Sequence, residues 1–442
     1  MKRVAVACFV GSAIEWYDFV IYGTAAALVF PSVFFPQLSP AMATIASMGT
    51  FGAAFLSRPL GAAVFGYFGD RLGRKKTLVI NLLIMAMSTV TVGVVPSTAA
   101  IGVAAPLILI ALRLLQGFAA GGQWAGSTLL SAEYAPPNRR GLYGLFTQVG
   151  GGSSLTLASL TFLVVNQTMG ESSPAFMQWG WRLPFLISAG LIVIALYVRV
   201  NIDETPVFAA EKVRSLVPEA PFKEVLHLLK RRELALATGS ILVASAFFYM
   251  ASTYFATYAQ TRLGYPNSLI LYVSVLGGLA NVGFIALSAI LSDRFGRRRM
   301  LLVGWLGCLP WSFVAIPLMD TGKPMCYAVA IVGMYAVAAF GWGPAAAFIP
   351  ELFATRYRYT GAALTANLAG IAGGAVPTLM AGMLMATWGS WAVGLMLAVL
   401  ALVSLVCTYL LPETLGTAFA AQPSPRADVA DGSRELELPG GG

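Results

Sequence analysis

Twelve apolar runs, each close to the length a helix needs to cross a lipid bilayer, are spaced through this chain between charged or Pro/Gly-rich breaks. About 20 apolar residues span a hydrocarbon core about 30 Å thick, and lipid tolerates no unpaired backbone polar groups, so such runs are restricted to helix. The first six fall near Val4 to Phe30, Met42 to Phe68, Thr77 to Val95, Ala104 to Leu130, Leu142 to Val165 and Leu183 to Val200. The second six fall near Leu234 to Thr257, Leu269 to Leu291, Met300 to Met319, Met325 to Ile349, Gly361 to Ala386 and Ala392 to Leu411. Between the sets, the stretch from Asn201 to Glu233 is charged and Pro-containing. The expected organisation is therefore a six-helix half over 1–200, a cytoplasmic loop over 201–233, a second six-helix half over 234–411 and a tail over 412–442. The tail is Pro/Gly/Ser-rich with mixed charge and is expected to be disordered.

The fold class that follows is an all-α membrane protein. Hydrophobic residues make up 58% of the chain and charged residues 11%, with a mean hydropathy of +0.76, far from the balance of a soluble domain. The opening "MKRVAVACFVGSA" imitates a secretory signal, but the apolar stretch before Cys8 is too short for one, and the segment runs on to spanning length. Cys8, Cys308, Cys326 and Cys407 show neither metal-ligand nor disulfide spacing and read as small core residues. No metal and no cofactor is expected. Nor does a phosphate-binding G-x-x-x-x-G-K-[ST] loop occur, which argues against an ATP-driven pump.

Lys and Arg mark the cytoplasmic ends of short loops. Alternate connections are basic, from Lys2 and Arg3 through Arg71, Arg74, Lys75 and Lys76, Arg139 and Arg140, the central loop, Arg294 and Arg297 to Arg299, to Arg356 and Arg358. The intervening connections hold only Arg182, Arg262 and Lys323. A multi-pass protein of the plasma membrane with both termini cytoplasmic is expected. The net charge of +9 then reflects this retention and attraction to anionic lipid, and it does not argue for nucleic acid.

An internal repeat ties the halves together. "GDRLGRKK" from Gly69 recurs as "SDRFGRRR" from Ser292, and "AEYAPPNRRG" from Ala132 is echoed by "PELFATRYRYTG" from Pro350. Duplicated six-helix halves around a midplane site are a transporter architecture that works by alternating access.

Charge inside the spans points the same way, because an ionisable group at bilayer depth is costly and normally serves ion or substrate movement. Glu15 and Asp18 lie within the first run, with Tyr22 on the same helical face at i, i+3 and i+7. A carboxylate there relays protons, or it forms a structural ion pair with a neighbouring helix. The only histidine, His227, lies in the central loop, so proton movement through the membrane would fall to Glu15 and Asp18. Glu133 and Glu351 sit at helix ends, where bridges to loop arginines are expected.

Arg58 and Arg113 are the embedded cations, and a guanidinium offers a planar fork that matches a carboxylate bidentately. Each either binds an anionic substrate or pairs with Glu15 or Asp18. Gln116, Gln123 and Trp124 continue a polar stripe from Arg113, while Gly117, Gly121, Gly122 and Gly126 suit close helix packing. The second half holds no ionisable group deep in a span; its candidates are Tyr249, Tyr254, Tyr258, Asn281, Trp342 and Asn367.

The spacing Gly66, Asp70, Arg71, Gly73, Arg74, Lys75, Lys76 resembles the loop motif of the major facilitator superfamily, and "RLLQG" from Arg113 resembles its R-x-x-Q-G element. "IEWYDFVIYG", "FLSRPLGAAVFGYFGDRLGRK", "RLLQGFAAGGQWAG", "WGWRLPF" and "DETPVF" together resemble the metabolite:proton symporters, a group with carriers of shikimate, 2-oxoglutarate, citrate and proline or betaine. The resemblance implies a twelve-helix fold and a cytoplasmic gate built on Asp70, Arg71 and Arg74 and on Asp293, Arg294 and Arg297. Many members carry an acid where this chain has Gln123. The expected function is proton-coupled import of a small organic acid or zwitterion. A proton-coupled exporter, a channel and a membrane enzyme are the alternatives, the last lacking any visible nucleophile or metal constellation.

Overall fold

The computed structural model describes residues 2–72, 74–136, 139–170, 173–200, 232–354 and 357–416. His227, Arg356, the central stretch 201–231 and the tail from 417 lie outside the described residues.

Six long helices precede the central stretch: α1 (Lys2–Leu28), α2 (Pro40–Leu72), α3 (Arg74–Val94), α4 (Ala104–Ala120 continued by Gln123–Tyr134), α5 (Arg140–Met169) and α6 (Leu183–Val200). Six follow it: α7 (Arg232–Ser240, Leu242–Tyr249, Met250–Tyr254 and Phe255–Thr261), α8 (Asn267–Phe295), α9 (Arg297–Asp320), α10 (Pro324–Trp342 and Ala345–Glu351), α11 (Arg358–Ala369, Gly370–Ala375 and Val376–Trp388) and α12 (Ser390–Leu410). Ten of these, α3 to α12, are long and apolar enough to cross a membrane by length and composition. The other two, α1 and α2, are 27 and 33 residues long. The fold is thus a bundle of twelve membrane helices.

Leu56, Met87 and Val193 stand outward and exposed, as a lipid-facing surface requires, while Asp18, Asn81, Arg113, Gln116 and Gln123 are buried inside. Polarity is inverted relative to a soluble protein because lipid replaces water outside.

Four crossings are broken rather than continuous. Gly121 and Gly122 interrupt α4, and Gly343 with Pro344 interrupts α10. Glycine is a weak helix former and proline removes a backbone donor, so each pair is a natural breaking point. In α7 and α11 the chain widens into π-helical turns at Met250–Tyr254 and Gly370–Ala375, a local form frequent at functional sites.

Packing between the two sets of helices runs along α5 with α8 and α2 with α11. Within the first set α2 and α4 meet backbone to backbone, since a Cβ on Gly117 would fall 2.0 Å from the Ala54 carbonyl oxygen and one on Gly61 1.9 Å from that of Phe118. Glycine is required at these crossings by contact. Arg182, from the "WGWRLPF" stretch, donates to the carbonyls of Gly93 at 3.0 Å and Val95 at 2.6 Å and so closes the C-terminal end of α3.

Candidate functional site

A cavity continuous with open solvent lies among α1, α2, α3, α4, α5, α7, α8, α10 and α11. Of the residues singled out in the sequence, Glu15, Arg58, Trp124, Tyr249, Asn281, Trp342 and Asn367 line it. Asp18, Tyr22, Arg113, Gln116 and Gln123 do not; all five are buried behind its wall. Tyr254 lies further along α7, where its hydroxyl donates to the Ala381 carbonyl, and the Tyr258 hydroxyl donates to Asp320 at 2.7 Å.

Behind the wall a polar chain runs through four helices. The hydroxyls of Ser188 on α6 and Thr89 on α3 each donate to the Asp18 carboxylate, the latter at 3.0 Å. Thr89 in turn accepts from Gln116 at 2.7 Å, and Gln116 accepts from Arg113 at 2.8 Å. Arg113 thus reaches Asp18 through two intermediaries. Such a chain links the acid and the cation within one low-dielectric pocket.

Arg113 is entirely buried, and its guanidinium carbon lies 4.1 Å from the Tyr22 ring centroid and 4.4 Å from that of Phe19. Tyr22 is fixed by donating to Thr50 at 2.9 Å. Arg58, on the cavity side, lies 4.3 Å from the same Phe19 centroid and donates to the Tyr249 hydroxyl at 3.4 Å. Neither arginine sits in an open solvent shell; aromatic faces supply part of what water would.

The indoles of Trp124 and Trp342, one from each half, stack with centroids 5.6 Å apart. Gln148 of α5 ties them together, accepting from the Trp124 indole at 2.9 Å and donating to the Trp342 carbonyl at 2.8 Å. Beside them, the break in α4 turns the carbonyls of Gly121 and Gly122 toward α11. Asn367 donates to the Gly121 oxygen and Tyr359 to the Gly122 oxygen, both at 2.6 Å. Asn281 donates to the Tyr335 carbonyl at 3.4 Å.

Toward the end of the bundle that carries the repeated loops, charges join α5, α8, α9 and α10. Arg140 pairs with Glu351 at 3.2 Å, Arg297 pairs with the same carboxylate, and Arg297 stands 3.8 Å from Asp293. Asp293 also accepts from the backbone N–H groups of Gly141 and Leu142, both at 2.9 Å, capping the start of α5. Arg294 is exposed. The side chains of Asp70, Arg71 and Arg74 lie outside the described ones.

Phe19, Thr89, Gln148, Ser188 and Tyr359 were not singled out by the sequence. Gln148 carried a usable signal, a lone amide two residues before three consecutive glycines inside an apolar span. Among the described residues no group of three His, Cys, Asp or Glu could hold a metal ion.

The family model for sugar (and other) transporters matches residues 4–424. The inner membrane metabolite transport protein YhjE of Escherichia coli is 41% identical over 420 residues, 93% of this chain and 94% of that protein. The Escherichia coli shikimate transporter is 37% identical over 403 residues, covering 88% and 89% respectively. A proline/betaine transporter of Salmonella typhimurium is 30% identical over 448 residues, covering 99% and 88%. In fold, the chain resembles the proton:xylose symporter XylE bound to 6-bromo-6-deoxy-D-glucose, with a TM-score of 0.72 at 18% identity over 95% of this chain and 97% of that one.

Proposed function

The chain belongs to the sugar (and other) transporter family of the major facilitator superfamily, and on that premise we propose that it is a proton-coupled symporter importing a small organic acid or zwitterion across the plasma membrane. The observation that carries this reading is the presence of a cavity-lining cation, Arg58, together with a separate buried acid, Asp18, held behind the wall by Thr89 and Ser188. Shikimate, proline and betaine, the compounds for which two of the relatives are named, each present a carboxylate. A guanidinium fork in a cavity lined by aromatic rings suits that group.

In this reading the substrate carboxylate meets Arg58, with Gln148, Asn281 and Asn367 as neighbouring hydrogen-bond partners. Asp18 takes the proton, and Arg113 answers to Asp18 from behind the wall. Glu15 shares the cavity with Arg58 and receives the cationic end of a zwitterion. Arg140, Glu351, Arg297 and Asp293 form the cytoplasmic gate with the Asp70 loop, an orientation supported by the basic loops at that end. Rocking of one half on the other opens the cavity to each side in turn.

The test is uptake of radiolabelled shikimate, proline, glycine betaine and 2-oxoglutarate into vesicles with an imposed pH gradient. At least one is expected to accumulate and to leak back when a protonophore collapses the gradient. Accumulation that follows a sodium gradient and ignores pH would overturn the coupling; no uptake of any of them would overturn the substrate class.

A further inference from the structure

We propose that Phe19 is the positioning residue that couples substrate binding to protonation, by holding Arg58 and Arg113 on one ring across the wall of the cavity. The proposal rests on the symport reading above. Phe19 and Arg58 line the cavity, whereas Arg113 does not. Yet both guanidinium carbons lie over the Phe19 ring, at 4.3 Å and 4.4 Å from its centroid, so they are no more than about 9 Å apart. One apolar side chain is therefore the structural link between the substrate side and the acid side.

The ring is itself fixed. Phe19 packs against Phe51, Phe55 and Tyr249, with centroids 5.0, 5.5 and 5.6 Å away. A guanidinium within about 6 Å of such a face is attracted by its quadrupole, and the attraction grows as water is excluded. Two cations seated on a fixed ring repel each other at a fixed distance in a dry environment, where little screens them.

Coupling follows from charge. Thr89 faces Asp18 from α3, Arg113 and Gln116 from α4 and Ser188 from α6, with Tyr17 beside it and Glu15 a turn away on α1. Arg113 is the one cation among these groups, and Arg58 is the next beyond it. When a substrate carboxylate pairs with Arg58, one positive charge near this pocket is neutralised, and uptake of a proton by Asp18 becomes easier. By linkage the proton strengthens substrate binding by the same factor. Without the ring, Arg58 and Arg113 lose their common seat, the distance between them is no longer set, and the two binding events separate.

The experiment compares Phe19→Leu, which keeps an apolar side chain and removes the ring, with Phe19→Tyr, which keeps the ring. Purified protein in liposomes is assayed with radiolabelled shikimate and glycine betaine for two quantities, exchange at equal pH and accumulation under an imposed pH gradient. The expected result is a ratio of accumulation to exchange at least fivefold below that of the native protein for Phe19→Leu, restored to the native ratio in Phe19→Tyr. If Phe19→Leu is not recovered folded, Phe19→Met is judged by the same ratio. Accumulation at the native level in either aliphatic variant overturns the proposal, as does an equal loss of exchange and accumulation, which marks a structural role. Failure of the native protein to accumulate either probe would instead overturn the symport reading on which the proposal stands.

Discussion

Gly152 of α5 and Gly278 of α8 face each other across the two halves so closely that a Cβ on Gly278 would lie 2.7 Å from the Gly152 carbonyl oxygen, and one on Gly152 2.9 Å from that of Gly278. The two backbones come into direct contact, with the side chains of Thr156, Asn281 and Val282 packed around them. If the halves rock as proposed, they slide past each other here.

Gly278→Val is expected to lower the initial uptake rate at least tenfold, because the new side chain must push the two helices apart. Gly283→Val, five residues further along α8, is the control: nothing lies within 4 Å of a Cβ there. Uptake normalised to membrane protein checks both, and equal rates for the two variants would refute the sliding contact.

Removing one partner from a buried ion pair costs about 3–5 kcal/mol because the other charge is left stranded. Glu351→Gln removes the carboxylate that Arg140 and Arg297 share, leaving Asp293 at 3.8 Å beside Arg297. This end of the bundle, the gate proposed above, should then open more often. Ala346 is buried 3.0 Å from where a Cβ on Gly144 would sit, so thiol labelling of Ala346→Cys in a cysteine-free background reports the opening. Labelling is expected to rise several-fold with Glu351→Gln; unchanged labelling would show that the pair does not hold this end shut.

Asp18→Asn should abolish accumulation driven by a pH gradient while leaving exchange of labelled for unlabelled substrate. Thr89→Val keeps the shape but deletes the hydroxyl that joins Asp18 to Gln116. Loss of that bond, about 0.5–1.5 kcal/mol, should slow coupled uptake roughly two- to tenfold. Native coupled uptake in Thr89→Val would show that the polar chain plays no part in coupling.

Tyr359→Phe removes one of two donors to the Gly122 carbonyl, the Gly126 N–H remaining at 3.2 Å, a loss of about 0.5–1.5 kcal/mol. A lower thermal midpoint in detergent is expected, with substrate affinity unchanged. Asn367→Ala should lower both, since Asn367 lines the cavity as well as donating to Gly121.

The twelve helices were legible because lipid leaves a chain so few choices; expected ends such as Ala104 and Leu183 coincide with the observed ones. The breaks were not: Gly121 and Gly122 read equally well as packing residues within a continuous helix, and Gly343 and Pro344 fall inside an apolar run of spanning length. Glu15 and Asp18 were placed on one face, but three residues turn a helix by about 300°, leaving them about 60° apart. That difference puts Glu15 on the cavity and Asp18 behind it. The embedded arginines were visible as charges in apolar runs, whereas the side of the wall each occupies depends on packing among rings from α1, α2 and α7. Phe19 looked like any other apolar residue for the same reason.

The bonds from Asn367 and Tyr359 to the broken turn of α4 divide responsibility unequally between the two halves of the molecule. Every peptide unit carries a carbonyl whatever its side chain, proline included, so no substitution in α4 can delete either acceptor; α4 contributes geometry alone. The donors are side chains of α11, each removable by a single mutation. Sequence drift in this protein is therefore tolerated asymmetrically. α4 is held to glycine at 121 by crowding, where a Cβ would meet the Arg58 carbonyl at 2.4 Å, whereas α11 is held to particular functional groups, and a transporter that exchanged them could alter how tightly it closes without changing anything on the opposite helix.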